Sequence, residues 1–374
     1  FGNDDIQEWI PRDEAHAGWS FIETGLREKG MYRENLLQNY SEKVREAKSN
    51  KSFNTIILPG TRTQTSPPYD ATNGDKTFKY TEKSRLVSMI DLYQVLGETV
   101  FAGPCQEKMA TVDWYAGGKN DRETYNVILK FKDRHRVMWI TLDYSKYDQS
   151  IPGWLIYEGF DVIEAAFDKS HGFDEELWRI VKDDFVHKVF LLGNGKVVEA
   201  HDGVPSGSMF TQIMDTIVNR LMILTYLHAK SIDTCDVSMI IMGDDNLIFS
   251  SVELDSDDIA GYLMRNFGVK VNPSKSSQGS IDDAPEFLSR HWTDRGVYRV
   301  PAILLAKLLY PENFRKYDKS DKRACRKQVY MILSCFIHDF PLGMKWIDKT
   351  KIDTFSMEEL SKAEHIQFTT GLMR

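Results

Sequence analysis

Val237-Ser238-Met239-Ile240-Ile241-Met242-Gly243-Asp244-Asp245-Asn246-Leu247-Ile248-Phe249 is the stretch on which the fold turns. Two short apolar runs separated by Gly-Asp-Asp-Asn read as a β-hairpin with two carboxylates at its tip. Upstream, Val137-Met138-Trp139-Ile140-Thr141-Leu142 repeats the buried-strand pattern and ends in Asp143. Two strand ends bearing adjacent carboxylates suit chemistry at paired metal ions. Gly-Asp-Asp alone is also a common turn sequence, so its weight comes from its apolar flanks and from the segments before it.

The first of those segments is Asp143-Tyr144-Ser145-Lys146-Tyr147-Asp148-Gln149-Ser150. Its two aspartates are too far apart for one ion in an extended strand, so Asp143 is assigned as metal ligand and Asp148 to the pocket beside it. Taken alone, both also read as solvent-facing loop acids. The second segment, Gly203-Val204-Pro205-Ser206-Gly207-Ser208-Met209-Phe210-Thr211, runs into a long helix carrying Asp215, Thr216 and Asn219. Backbone N–H groups at such a helix start can hold phosphate or template backbone; Ser206 or Ser208 also reads as a plain N-cap. Thr211, Asp215 and Asn219 share one helical face, which meets either water or a site.

The chain has 374 residues, 42% hydrophobic and 27% charged, and suits two or three soluble lobes. No apolar run reaches the length of a membrane span. The opening Phe1-Gly2-Asn3-Asp4-Asp5 lacks Met and a basic leader, which suggests a piece of a longer chain that is not secreted. Cys105, Cys235, Cys325 and Cys335 form no CxxC pair, so reduced, intracellular chemistry is expected over disulfides or structural zinc. The net charge of −8 argues against a general nucleic-acid coat but leaves room for a local basic channel. Two clusters offer one: Lys76, Lys79, Lys83 and Arg85, and Arg315, Lys316, Lys319, Lys322, Arg323, Arg326 and Lys327. Each reads equally as a solvated face.

Residues 57–76 are rich in Pro, Gly, Thr and Asn and read as a long loop. Residues 131–143 read as the first strong strand. Residues 154–168 place Ile156, Phe160, Ile163 and Phe167 on one helical face, and 209–228 place Phe210, Ile213, Ile217, Leu221 and Leu224 on another. Residues 186–199 form a hairpin around Gly193-Asn194-Gly195, and 258–267 a further helix. This order predicts an α+β core over 136–295, with helices to one side of an antiparallel sheet and separate lobes before and after.

The three segments in this order, D-x4-D, SGSxxTxxxDTxxN and GDD, resemble motifs A, B and C of the palm of viral RNA-dependent RNA polymerases. Lys83-Ser84-Arg85-Leu86-Val87 resembles the basic motif F, Val269-Lys270-Val271-Asn272-Pro273-Ser274-Lys275 resembles motif D, and Glu286-Phe287-Leu288-Ser289-Arg290 resembles motif E. His16-Ala17-Gly18-Trp19 is similar to a divergent motif G. Gly-Val-Pro-Ser-Gly-Ser followed by Asp215 looks most like the partitivirus and picobirnavirus enzymes, from viruses with segmented double-stranded RNA genomes. The likeness covers about 15–295 and fades beyond.

The resemblance implies a right-hand polymerase: fingers over 1–135, palm over 136–168 and 203–295, a fingers insertion over 169–202, and a thumb or part of one over 296–374. It implies two Mg²⁺ ions, with Mn²⁺ able to substitute, on Asp143 and Asp244, and Asp245 as a weaker ligand. Lys83 and Arg85 would screen the triphosphate, and Asp148, Ser206, Gly207, Thr211, Asp215 and Asn219 would form the nucleotide site. Lys275 is implied as proton donor to pyrophosphate, and Arg290 as a primer-strand contact. Implied partners are RNA template and product, ribonucleoside triphosphates and a viral capsid protein, with no membrane, in the host cytoplasm or the virion. Many relatives carry Asn at the place of Asp215, and an ionised Asp can accept but not donate. A reverse transcriptase would want an aromatic gate near Asp148 and an aromatic residue before the paired aspartates, and this chain has Met242-Gly243. A decayed, RNA-binding polymerase should have lost Asp143, Asp244 or Gly207, and a calcium loop would crowd more oxygen ligands into one segment.

Overall fold

The computed structural model describes residues 33–66, 81–170, 172–294, 296–298 and the single residue Lys345. His16–Trp19, Lys76, Lys79, the 315–327 basic cluster and the expected thumb beyond residue 298 lie outside the described residues, as does the side chain of Lys83.

Helix α1 (Arg33–Asn50) precedes strands β1 (Leu58–Ser66) and β2 (Thr81–Met89), then helices α2 (Leu92–Ala110) and α3 (Asp121–Arg134). Strand β3 (Met138–Thr141) leads into a short helix α4 (Tyr147–Ser150), α5 (Gly153–Ala165) and α6 (Glu175–Val186). Strands β4 (Lys188–Leu191) and β5 (Val197–Ala200) follow, then the long helix α7 (Thr211–Ala229). Strands β6 (Val237–Met242) and β7 (Asp245–Ser250), helix α8 (Ser256–Phe267) and strands β8 (Ser277–Ser280), β9 (Glu286–Phe287), β10 (Arg290–Thr293) and β11 (Gly296–Tyr298) complete the described order. Contacts divide the chain into two units.

The first unit takes in residues up to 60, 86–118 and 135–278. Its sheet runs β6-β7-β3-β8, with β7 antiparallel to both β6 and β3. Pairing sets Met239, Ile248 and Ile140 side by side on one face, and Ser238, Phe249 and Trp139 on the other, as the two-residue period requires. The first face joins α5, α7 and α8 in one hydrophobic core. The second is buried too: Trp139 is 6% and Phe249 0% exposed. Helices thus lie on the first face, as expected, and the second face is also withdrawn from solvent. With both faces covered, the strands have no polar alternation and read as continuous apolar runs.

Helix α7 is buried nearly all round: Ile213, Met214, Ile217, Val218 and Met222 pack in the core, and its polar Asp215, Thr216 and Asn219 are buried as well. Rings from α5, α6 and the start of α7 meet around Phe160, whose centroid lies 5.0 Å from Phe185, 5.5 Å from Trp178 and 5.3 Å from Phe210. Such edge-on pairs contribute about 1 kcal/mol each beyond burial. Helix α8 is capped at both ends, by Asp255 accepting from Asp257 N–H and by Gly268 at φ 70°.

Three local expectations fail for physical reasons. Residues 131–134 end α3 instead of opening a strand, because Thr124, Val127, Ile128 and Phe131 are buried at helical spacing. Residues 58–66 form β1 instead of loop: Thr61, Thr63 and Thr65 alternate, a strand signal hidden behind Pro59-Gly60. Helix α6 was hidden in the expected insertion, although Asp174 caps it through Leu177 N–H and Leu177, Trp178, Val181 and Phe185 line its buried side.

In the second unit, α3 meets β11 of the three-stranded sheet β11-β10-β9. Arg290 pairs with Asp121 at 2.8 Å, and Lys132 with Asp294 at 2.5 Å. Among the described residues no helix is long and apolar enough to cross a membrane.

Candidate active site

Strands β6 and β7 pair up to Met242 and Asp245, so the turn is the dipeptide Gly243-Asp244. Gly243 has φ 64°, the first central position where two-residue hairpin turns use glycine. The tip thus carries one carboxylate, Asp244. Asp245 opens β7, a correction to the expectation of two at the tip.

Helix α7 holds this turn. Thr216 Oγ1 accepts from Gly243 N–H at 2.8 Å and donates to Gln212 O at 2.6 Å. Asn219 Nδ2 donates to Gly243 O at 3.0 Å and Asp244 O at 3.3 Å, while its Oδ1 accepts from Tyr144 Oη at 2.8 Å. Tyr147, its ring 4.8 Å from that of Tyr144, donates to Asp215 O at 2.9 Å. Burial, with Asp244 nearby, raises both phenols above their ordinary range, which keeps them donors.

Asn246 ties the other carboxylate strand to the turn. Its Oδ1 accepts from Leu142 N–H at 2.9 Å and its Nδ2 donates to Leu142 O at 3.0 Å. Asp143 follows Leu142 directly. Its N–H donates to Ser276 Oγ at 3.0 Å and its carbonyl accepts from Asn272 N–H at 2.7 Å. Lys275 sits in this last turn, exposed, one residue before Ser276. Between Asp143 and Asp148 the chain reverses at Lys146, a left-handed residue at φ 54°.

Asp215 is 4% exposed, and its Oδ1 has no hydrogen-bond partner. Burial first, then the charges of Asp148 and Asp244, push its carboxyl well above the usual range. This shift favours the protonated form, and a protonated acid donates as well as accepts, as the Asn of the resemblance does. The structure thus brings Asp148, Asp215 and Asp244 within electrostatic reach, with Asn219 bonded to the turn itself.

The glycine-rich loop is placed differently. Ser206 Oγ accepts from Ser88 N–H at 2.9 Å, and a Cβ on Gly207 would lie 2.1 Å from Ser88 O. Thr211 Oγ1 donates to Pro205 O at 2.7 Å and Ser208 O at 2.8 Å, inside the loop. Ahead of the helix, Met209 N–H donates to buried Glu98 Oε2 at 2.9 Å, which Ser208 Oγ also reaches at 2.7 Å. Arg290 is engaged with Asp121 in the second unit, and Arg85 is exposed there.

A divalent ion would suit these donors in kind, because carboxylate oxygens are the hard ligands that Mg²⁺ takes. Among the described residues no three His, Cys, Asp or Glu side chains are grouped to hold an ion. Mg²⁺ commonly relies on one or two carboxylates, completing its shell with waters and substrate phosphates, so the residues present fit it.

Asn246, Ser276 and Glu98 position the site yet were not nominated from the sequence, and Thr216 was noted only as part of its motif. Asn246 and Ser276 adjoin residues already singled out, Asp245 and Lys275; Glu98 adjoins none. Asn246→Ala leaves both backbone groups of buried Leu142 without their side-chain partner, at a cost on the order of 3 kcal/mol. The urea midpoint should fall accordingly; an unchanged midpoint would show that the clamp is dispensable.

Comparison with known proteins follows this geometry. A family model described as "Viral RNA-dependent RNA polymerase" matches residues 8–305. A genome polyprotein of Ljunganvirus 1 is 29% identical over 170 residues, which is 44% of this chain and 7% of the polyprotein. An RNA-directed RNA polymerase of Atkinsonella hypoxylon virus (isolate 2H) is 34% identical over 122 residues, 30% of this chain and 18% of that protein. The matches therefore span only a small part of these curated relatives' length. Among solved structures, the RNA-dependent RNA polymerase of a human picobirnavirus has TM-score 0.71 at 14% identity, covering 100% of this chain and 71% of that one. The Sicinivirus 3Dpol polymerase has TM-score 0.71 at 15% identity, covering 97% and 78%. The α+β fold is that of these polymerases.

Proposed function

The chain belongs to the viral RNA-dependent RNA polymerase family, and from that premise we propose that it copies an RNA template by two-metal nucleotidyl transfer from ribonucleoside triphosphates. The observation that carries this reading is the anchoring of two carboxylate-bearing strand ends to each other. Asn246 binds Leu142 beside Asp143, and Thr216 and Asn219 bind the turn that presents Asp244. The family association and the donor set both support Mg²⁺, with Mn²⁺ as substitute.

When bound, the ions would lower the pKa of the attacking 3′-hydroxyl and neutralise the triphosphate. Asp143 and Asp244 would hold them, with Asp245 as a weaker ligand. Asp148 and the neutral carboxyl of Asp215 would meet the ribose, beside Asn219. Ser206, Gly207 and Thr211 would shape the loop under the nucleotide. Lys275 would give a proton to departing pyrophosphate. Lys83 and Arg85 against the phosphates, and Arg290 toward the primer strand, are proposed from motif resemblance.

In this proposal 1–135 serve as fingers, 136–168 and 203–295 as palm, 169–202 as a fingers insertion and 296–374 as thumb or part of one. RNA template and product are partners, with a capsid protein as a further candidate. The enzyme would replicate and transcribe a viral genome in the host cytoplasm or the virion. The loop string with Asp215 supports a likeness to partitivirus and picobirnavirus enzymes.

Sugar choice tests the nucleotide site. A pocket built to bond a hydroxyl rejects the analogue lacking it, by up to about 10⁴-fold. Asp148→Ala should lower kcat/KM for a ribonucleotide far more than for its deoxy analogue on one template. An unchanged ratio in a folded variant would move sugar selection elsewhere, with Asp215 the next residue to examine.

A further inference from the structure

A different face of α7 borders a partly open cavity of about 470 Å³, lined also by α2, by α5 with the residues that follow it, and by the segment around Trp114. The volume lies within the range of small-molecule sites. Its walls are mainly apolar, with Trp114, Phe167, Leu221 and Leu224 among them. One feature sets it apart from a packing defect. Arg220 lines it with the guanidinium 4.5 Å above the Trp114 ring, and makes no hydrogen bond or ion pair among the described residues.

A guanidinium stays charged in proteins, and water withdrawn from it is best replaced by a planar anion that takes two of its N–H groups. Burial lowers the Arg220 pKa with no acidic neighbour to oppose it, consistent with an unmet charge. Lys108 adds a second positive group to the lining. Asp168 also lines the cavity, but its Oδ1 already accepts from Ser170 N–H at 2.9 Å and Ser170 Oγ at 2.6 Å.

We propose that this cavity binds a small aromatic acid, its ring among Trp114, Phe167 and Leu221 and its carboxylate or sulfonate on Arg220. The aromatic walls favour a flat apolar body, and the cation fixes which end of the ligand enters. The site stands apart from the carboxylates, yet it touches the helix that holds the Gly243-Asp244 turn.

The test uses the full chain and two fluorescent probes: 8-anilinonaphthalene-1-sulfonate, which is anionic, and N-phenyl-1-naphthylamine, which is neutral. The sulfonate should bind one to one. Arg220→Gln should weaken it by about tenfold, the loss expected for one charge-assisted contact, and leave the neutral probe's affinity unchanged. Leu221→Trp, which fills the cavity, should abolish binding of both while far-ultraviolet circular dichroism stays native; Leu224→Phe serves if that variant fails to fold. Absence of stoichiometric sulfonate binding to the wild-type chain would overturn the proposal. So would equal sulfonate affinity in Arg220→Gln, or binding that persists in a folded cavity-filled variant.

Discussion

Asp244→Asn should leave a folded protein that no longer incorporates nucleotides. The Asp244 carboxylate is exposed at the turn and makes no hydrogen bond or ion pair among the described residues, so the fold does not depend on its charge. The turn is held through backbone atoms, by Thr216 and Asn219. The loss therefore falls on chemistry: a missing metal ligand should remove on the order of 4 kcal/mol of transition-state stabilisation, about a thousandfold in rate. Asp143→Asn should behave alike, and Asp245→Asn more mildly. Near-normal incorporation by folded Asp244→Asn would refute the metal assignment.

Gly207→Ala should fail by a different route. The added methyl would stand 2.1 Å from Ser88 O and 3.5 Å from an Ile90 side-chain carbon. A backbone oxygen at the end of β2 cannot swing aside as a flexible side chain can. Either the loop leaves β2, breaking the Ser88 N–H to Ser206 Oγ bond, or the strand end shifts. Overpacking of this kind costs about 3 kcal/mol. The urea midpoint should drop, and incorporation should fall at least about tenfold as the loop leading into α7 moves. Wild-type stability and rate together would show that the close approach is soft.

The hairpin and α7 were legible because each carries a local period: apolar runs around Gly243-Asp244, and a helical stripe from Ile213 to Leu224. Strand β1 was not, because Pro59-Gly60 masks its alternating threonines, and α6 went unread beside the glycine-rich hairpin that follows it. Asp143, Asp148 and Asp244 could be nominated from residue type and order. The residues that hold them in place could not. Asn246 meets Leu142 across 104 residues of chain, and Ser208 meets Glu98 across 110, so neither contact leaves a local trace. The raised pKa of Asp215 follows from burial, which only the packed core sets.

Copying of RNA through Asp143 and Asp244 can be tested on the reaction itself. The most direct measurement supplies the purified wild-type chain with a defined single-stranded RNA, Mg²⁺ and one labelled ribonucleoside triphosphate at a time. The account predicts incorporation of the nucleotide complementary to the template alone, abolished by removing Mg²⁺ and by Asp244→Asn. Incorporation that ignores the template, or that survives in folded Asp244→Asn, would contradict it.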